Sequence, residues 1–87
     1  MIFHITYNVT SRDRDSVQER FKKSGAQPPD GVKMTGRWHS VNGNKGFIIA
    51  ESSDLLTVGR WIQEWSDMIA FHVTPVFTDE EVLSIIS

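Results

Sequence analysis

The segment Ile2-Phe3-His4-Ile5-Thr6-Tyr7-Asn8-Val9 alternates apolar and polar residues without a break. Successive strand side chains point to opposite faces, so this pattern commits the N-terminus to a half-buried strand. Phe3, Ile5, Tyr7 and Val9 form its apolar side; His4, Thr6 and Asn8 form the polar one. Val32–Val41 divides in the same way, with Val32, Met34 and Trp38 opposed to Lys33, Thr35, Arg37 and His39. In Ala70–Phe77 the division is Phe71, Val73 and Phe77 against His72 and Thr74, and Pro75 marks an edge strand because it cannot donate to a ladder. By this parity all three histidines, His4, His39 and His72, share the polar face.

The connectors set the topology. Thr10 or Ser11 offers an N-cap, Thr10 with Asp13 fits a capping box, and a helix is predicted to run to about Ser24. Its apolar stripe is thin, mainly Val17 and Phe21. Gly25 suits a left-handed C-terminal position, and Pro28-Pro29-Asp30-Gly31 is a turn. Asn42-Gly43-Asn44-Lys45 predicts a hairpin between the second strand and a third, Gly46–Ser52. With either turn centre, odd residues of the second strand share a face with even residues of the third. Met34 and Trp38 are then expected in the core with Phe47 and Ile49, and Arg37 and His39 on the open face with Ile48, Ala50 and Ser52. Ser53 or Asp54 caps a second helix whose buried stripe is Leu55, Val58, Ile62, Trp65 and Ile69, with Trp61 to one side. Thr78-Asp79-Glu80-Glu81 is a capping box opening a short terminal helix with an apolar side, Val82, Leu83, Ile85 and Ile86.

The order β-α-β-β-α-β-α with right-handed crossovers predicts a ferredoxin-like α+β fold with strand order 4-1-3-2 and both crossover helices on one face. A chain of 87 residues is one domain, 1–87, and is small enough to gain stability from oligomerisation. Absence of cysteine excludes disulfides, thiolate catalysis and cysteine-based metal sites. A net charge of -2 with no long basic run argues against nucleic acid and acidic membrane surfaces. No apolar run approaches the roughly 20 residues of a membrane span. The chain enters its first strand without a signal-peptide pattern, so a cytoplasmic location is expected.

Several elements resemble a known family: Gly36-Arg37-Trp38-His39, Arg60-Trp61-Ile62-Gln63-Glu64-Trp65-Ser66-Asp67, Pro28-Pro29-Asp30-Gly31-Val32-Lys33 and Pro75-Val76-Phe77-Thr78-Asp79-Glu80-Glu81. Over nearly its whole length the chain is similar to the bacterial domain-of-unknown-function family 3303. The resemblance implies a dimeric α/β barrel in which two ferredoxin-like protomers pack sheet to sheet. It implies no activity and carries over no catalytic residue. The wider barrel superfamily spans cofactor-free monooxygenases, haem-degrading enzymes and small isomerases, so function has to be argued from the site.

Three histidines on one face raise the question of a metal. In the predicted sheet His4 and His39 stand two strand spacings apart and His72 lies at the other end, so one protomer does not bring three ligand nitrogens together. No metal is expected. Haem is not expected either, because the haem-degrading members of that superfamily use a helix histidine as iron ligand and neither crossover helix here carries one; no other cofactor is expected. The ordinary reading makes His4, Thr6, Ile48, Ala50, His72, Val76 and Trp61 residues of a homodimer interface formed by the open sheet face. The sharper reading has Arg37 and His39 bind a small polar or aromatic ligand, with Trp38 and Tyr7 lining a pocket; Arg37 pairing with a partner's carboxylate is the competing role. The function expected is a binding or regulatory module. The alternative is a cofactor-free enzyme with His39 as general base and Arg37 holding an anion.

Overall fold

A computed structural model describes residues 1–87. The first alternating segment forms β1 (Ile2–Asn8), a central strand of a four-stranded sheet. It is followed by α1 (Arg14–Ser24), β2 (Lys33–His39), β3 (Lys45–Glu51), α2 (Leu55–Gln63), β4 (Ala70–Val76) and α3 (Asp79–Ile86). The sheet order is β2-β3-β1-β4 with every neighbouring pair antiparallel. Read from the other edge, this is the expected 4-1-3-2, and the fold is ferredoxin-like with a C-terminal helix. No helix is long and apolar enough to cross a membrane.

Local chemistry explains the element ends. Gly25 closes α1 in a left-handed conformation (φ 71°), its N–H donating to the Phe21 carbonyl. Thr10 and Asp13 bond as the sequence suggests, but they close a turn ahead of α1 rather than its first turn. Asp54 caps α2, accepting from the Leu56 N–H at 3.0 Å and from the Thr57 hydroxyl at 2.8 Å. These bonds, that from Thr57 first, hold its carboxyl below the usual range. The Thr78–Glu81 capping box that opens α3 forms as expected. Asp67 in the turns after α2 takes Arg20 of α1 at 2.7 and 3.0 Å, tying the two helical segments together at the surface.

The core departs from the sequence expectation in one instructive way. The β2–β3 pairing near the hairpin joins Arg37 to Ile48 and Trp38 to Phe47, the odd–even match that was expected. Which face each set occupies is the reverse. Between Met34 and Gly36 the register shifts, a β-bulge in which Thr35 is the extra residue. A bulge inverts side-chain parity beyond it. Met34 therefore points inward while Arg37 and His39, three and five residues later, also point inward, and Trp38 turns outward.

β1 enforces the same answer on β3. Phe3, Ile5 and Tyr7 stand opposite Ala50, Ile48 and Gly46, so the two aromatic residues of β1 face a small or absent side chain. Ala50 (0% exposed) and Ile48 (5%) are core residues, and Phe47 and Ile49 lie on the open face. The expectation that Ile48 and Ala50 belong to an interface on the open face is thus corrected. Ser52, also expected there, is buried at the end of β3, where its hydroxyl donates to the Gly31 carbonyl at 2.7 Å.

Trp61 is corrected too. The buried stripe of the second helical segment runs through Val58, Trp61 and Trp65, with Ile62 packed beside it, and Trp61 is only 4% exposed. Leu55 and Leu56 are exposed. Val58 and Trp65 keep their expected burial while Trp61 replaces Leu55 in the stripe, and α2 ends at Gln63 and continues as turns to Met68 rather than as a helix to Ile69.

Candidate functional site

The thin stripe of α1 has a structural consequence. α2 brings Val58 and Trp61 fully into the core, whereas α1 buries none of its residues completely. With only Val17 and Phe21 to set down on the sheet, α1 does not fill the space beneath it. A cavity of about 230 Å³ remains there, open at one side to solvent. Tyr7, Arg37, His39, Ile48 and Phe71 supply its floor from all four strands; Val17, Gln18 and Phe21 cover it from α1; Trp61, Ile62, Trp65 and Ile69 close one side.

The bulge at Thr35 places the polar end. Arg37 and His39, sent inward by it, meet Tyr7 of β1, whose hydroxyl shares a hydrogen bond with His39 Nδ1. Gly46 makes this possible, since a Cβ there would lie 2.4 Å from the Tyr7 ring. The Arg37 guanidinium lies over the Phe21 ring, 4.9 Å from its centroid. It donates to the carbonyls of Ala26 (2.8 Å) and Gly25 (3.0 Å), at the C-terminal end of α1 where unpaired carbonyls gather. Arg37 takes part in none of the ion pairs of the chain, and no Asp or Glu lines the cavity. The site therefore holds an uncompensated positive charge over mostly apolar walls.

This charge and the burial around it shape the titrating groups. Burial raises the Tyr7 phenol above 10.0, and the Arg37 charge draws it partly back. Burial lowers Arg37 below its ordinary value. His39 falls below 6.5, first by burial and then by repulsion from Arg37. At neutral pH the pair is a protonated phenol and a neutral imidazole. Because the folded pKa of His39 lies below the unfolded value, the unfolded chain takes up the proton first as pH falls. The contribution of neutral His39 to stability is full above about pH 6.5 and is lost as pH falls through the folded pKa. An NMR titration is expected to place the His39 midpoint below 6.5, with denaturant stability declining on acidification from about pH 6.5. A His39→Gln variant should lack that part of the decline. A midpoint at or above 6.5 contradicts the arrangement.

Of the four residues expected to bind a ligand, the structure brings Tyr7, Arg37 and His39 together and removes Trp38. The Trp38 ring lies outside, across Gly36, where a Cβ would come within 2.2 Å of it, and stacks on Phe47 at 5.1 Å between centroids. Trp38 is 51% exposed. The motif Gly36-Arg37-Trp38-His39 thus serves two faces at once: the glycine seats an outward tryptophan, and the flanking cation and imidazole enter the cavity. Of the expected interface residues, His4, Thr6, His72 and Val76 do share the open face, along Thr6–His72 and Ile2–Val76 pairs. His39 is on the opposite side of the sheet, so the three histidines do not form one group. Sequence reasoning missed Gln18, Phe21 and Phe71 as cavity walls. The signal available for them was the poverty of the α1 stripe beside the rich one of the second helical segment.

The family model for the domain of unknown function DUF3303 matches residues 1–87, the whole chain. The chain belongs to this family. No curated protein matches it. Within a DUF3303 domain the motif residues Gly36 to His39 and Trp61 to Trp65 now have locations: bulged strand, outer aromatic stack, and cavity wall.

Proposed function

We propose that this DUF3303 domain is a homodimeric binding module that takes a small, largely apolar molecule into the cavity between α1 and the sheet. The observation that carries this reading is a concave apolar site with a few convergent polar groups, Tyr7, Arg37 and His39, at one end. Had the interior been fully packed, a purely structural role would be favoured. A thermal-shift screen of metabolites tests it: a ligand present at 100 times its Kd raises stability by about 2.7 kcal/mol, and no shift with any small apolar compound would count against it.

The dimer rests on surface that a monomer leaves uncovered. A compact chain of 9.9 kDa exposes about 5,200 Å², whereas this one exposes 6198 Å². The excess of roughly 1,000 Å² compares with the ~800 Å² that each partner gives to a standard interface. Its radius of gyration is 14.3 Å against about 12 Å for a compact domain of this length. The extra surface includes the Trp38–Phe47 stack with His4 beside it (6.0 Å from Phe47) and the apolar side of α3, where Leu83, Ile85 and Ile86 are exposed. A second copy covering the open face would bury that aromatic strip. Phe47→Asp, which alters no core contact, is expected to weaken the dimer by about 2 kcal/mol, roughly thirtyfold, seen as a shift to folded monomer in sedimentation. A wild-type monomer at micromolar concentration would contradict the proposal. A cytoplasmic setting belongs to the same reading.

The Tyr7–His39 pair supports a second reading, proton transfer by His39 with Arg37 holding the anion that forms. A His39→Gln variant that keeps ligand affinity but loses turnover of a bound compound would favour it over simple binding.

A further inference from the structure

The proposed binding reading leaves the chemistry of the ligand open, and the cavity itself narrows it. We infer that the site is built for a single-ring carboxylate, with the carboxylate on Arg37 and the ring among Phe21, Trp61, Trp65 and Phe71. This rests on the binding reading above. Three independent features converge on it.

The first is charge. Arg37 is the one permanently charged side chain lining the cavity, and no acidic residue accompanies it there. A half-buried guanidinium over a ring and two carbonyls lacks the counter-charge that such groups ordinarily find. One cation matches a monoanion; a phosphate dianion would require a second.

The second is orientation. The bonds from Arg37 Nη1 to the Ala26 carbonyl and from Nη2 to the Gly25 carbonyl anchor the guanidinium without neutralising it. A guanidinium has five N–H donors, so this anchoring leaves donors for a planar, two-oxygen partner. Anchoring beforehand lowers the entropy lost when the partner arrives.

The third is size and wall chemistry. An apolar cavity of about 150 Å³ accommodates benzene. The 230 Å³ here leaves room for one ring and a short acid-bearing arm. Aromatic walls favour an aromatic guest through edge and offset contacts. Tyr7 and His39 stand near the polar end, where they add hydrogen bonds to a carboxylate oxygen or a ring substituent.

The test is calorimetric titration of the unmodified protein with phenylacetate, its neutral counterpart 2-phenylethanol, and acetate. Phenylacetate is expected to bind about tenfold or more tightly than 2-phenylethanol, the difference that a charge-assisted pair commonly makes. Acetate, lacking the ring, should show no binding at millimolar concentration. Arg37→Met should reduce phenylacetate to the affinity of the alcohol and leave the alcohol unchanged. If that variant does not fold, the three-probe comparison on the native protein decides alone. Equal binding of acid and alcohol overturns the carboxylate inference while the binding reading stands. Acetate as tight as phenylacetate overturns the ring. Failure of both ring compounds to bind overturns the single-ring inference, and the binding reading falls with it only if the metabolite screen also gives no shift.

Discussion

Trp61→Ala is expected to lower the stability of the domain by about 3–5 kcal/mol, the range for removing a buried aromatic. Trp61 is buried in the cluster with Phe3, Ile5, Ile48 and Val58, and it also forms part of the cavity wall. Total stability for 87 residues is on the order of 4–13 kcal/mol, so the variant should unfold at much lower denaturant concentration or fail to fold at all. Far-UV circular dichroism in urea reads this directly. The sequence expectation placed Trp61 at an interface, and the two roles separate cleanly. An interface residue would leave a folded monomer of nearly unchanged stability after truncation, whereas a core residue takes the fold with it.

Gly46→Ala is expected to be destabilising by about 1–3 kcal/mol, against the usual trend. Glycine in a strand or helix ordinarily costs about 0.5–1 kcal/mol relative to alanine, so an unremarkable position gains from the substitution. At Gly46 the new Cβ would meet the Trp38 carbonyl at 2.3 Å and the Tyr7 ring at 2.4 Å. The first of these is backbone of the neighbouring strand, which cannot turn aside. Relief of the first clash requires β2 and β3 to shift apart, and relief of the second requires Tyr7 to move, which breaks its bond with His39. Loss of stability should therefore be accompanied by a changed His39 titration. Gly59 in α2 is the control: nothing lies within 4 Å of an added Cβ, so Gly59→Ala should stabilise by about 0.5–1 kcal/mol. Equal effects at the two glycines would mean that the close packing of β1 and β3 is not as described.

The elements of this fold were legible because each rests on local chemistry. The period of two in Ile2–Asn8, the glycine at 25, the hairpin residues 42–45 and the capping box at Thr78 act within a few residues of themselves. The cavity was legible only in part. Tyr7 and its neighbours on β1 were placed on the core side correctly, since that strand carries no irregularity. Arg37 and His39 were paired with the right partners of β3 and assigned to the wrong face. One inserted residue, Thr35, separates the two outcomes, and the only local sign of it in Met34-Thr35-Gly36-Arg37 is a glycine inside a strand, which fits a close backbone approach as well as a bulge.

By itself the sequence determined the ferredoxin-like fold, its strand order, and the nature of the residues available to a site: one arginine, one tyrosine and a histidine near a glycine-tryptophan pair. Only the tertiary structure decided which side of the sheet they serve. Parity along β2 is a local rule, but its origin is set by what packs on each face. Phe3 and Tyr7 demand small partners at Ala50 and Gly46, and the Trp38 ring finds its seat on Gly36 outside. Those demands act across strands far apart in the chain. They turn a polar pair that looked like surface into the charged end of an apolar cavity, and a tryptophan that looked like core into part of the exposed face.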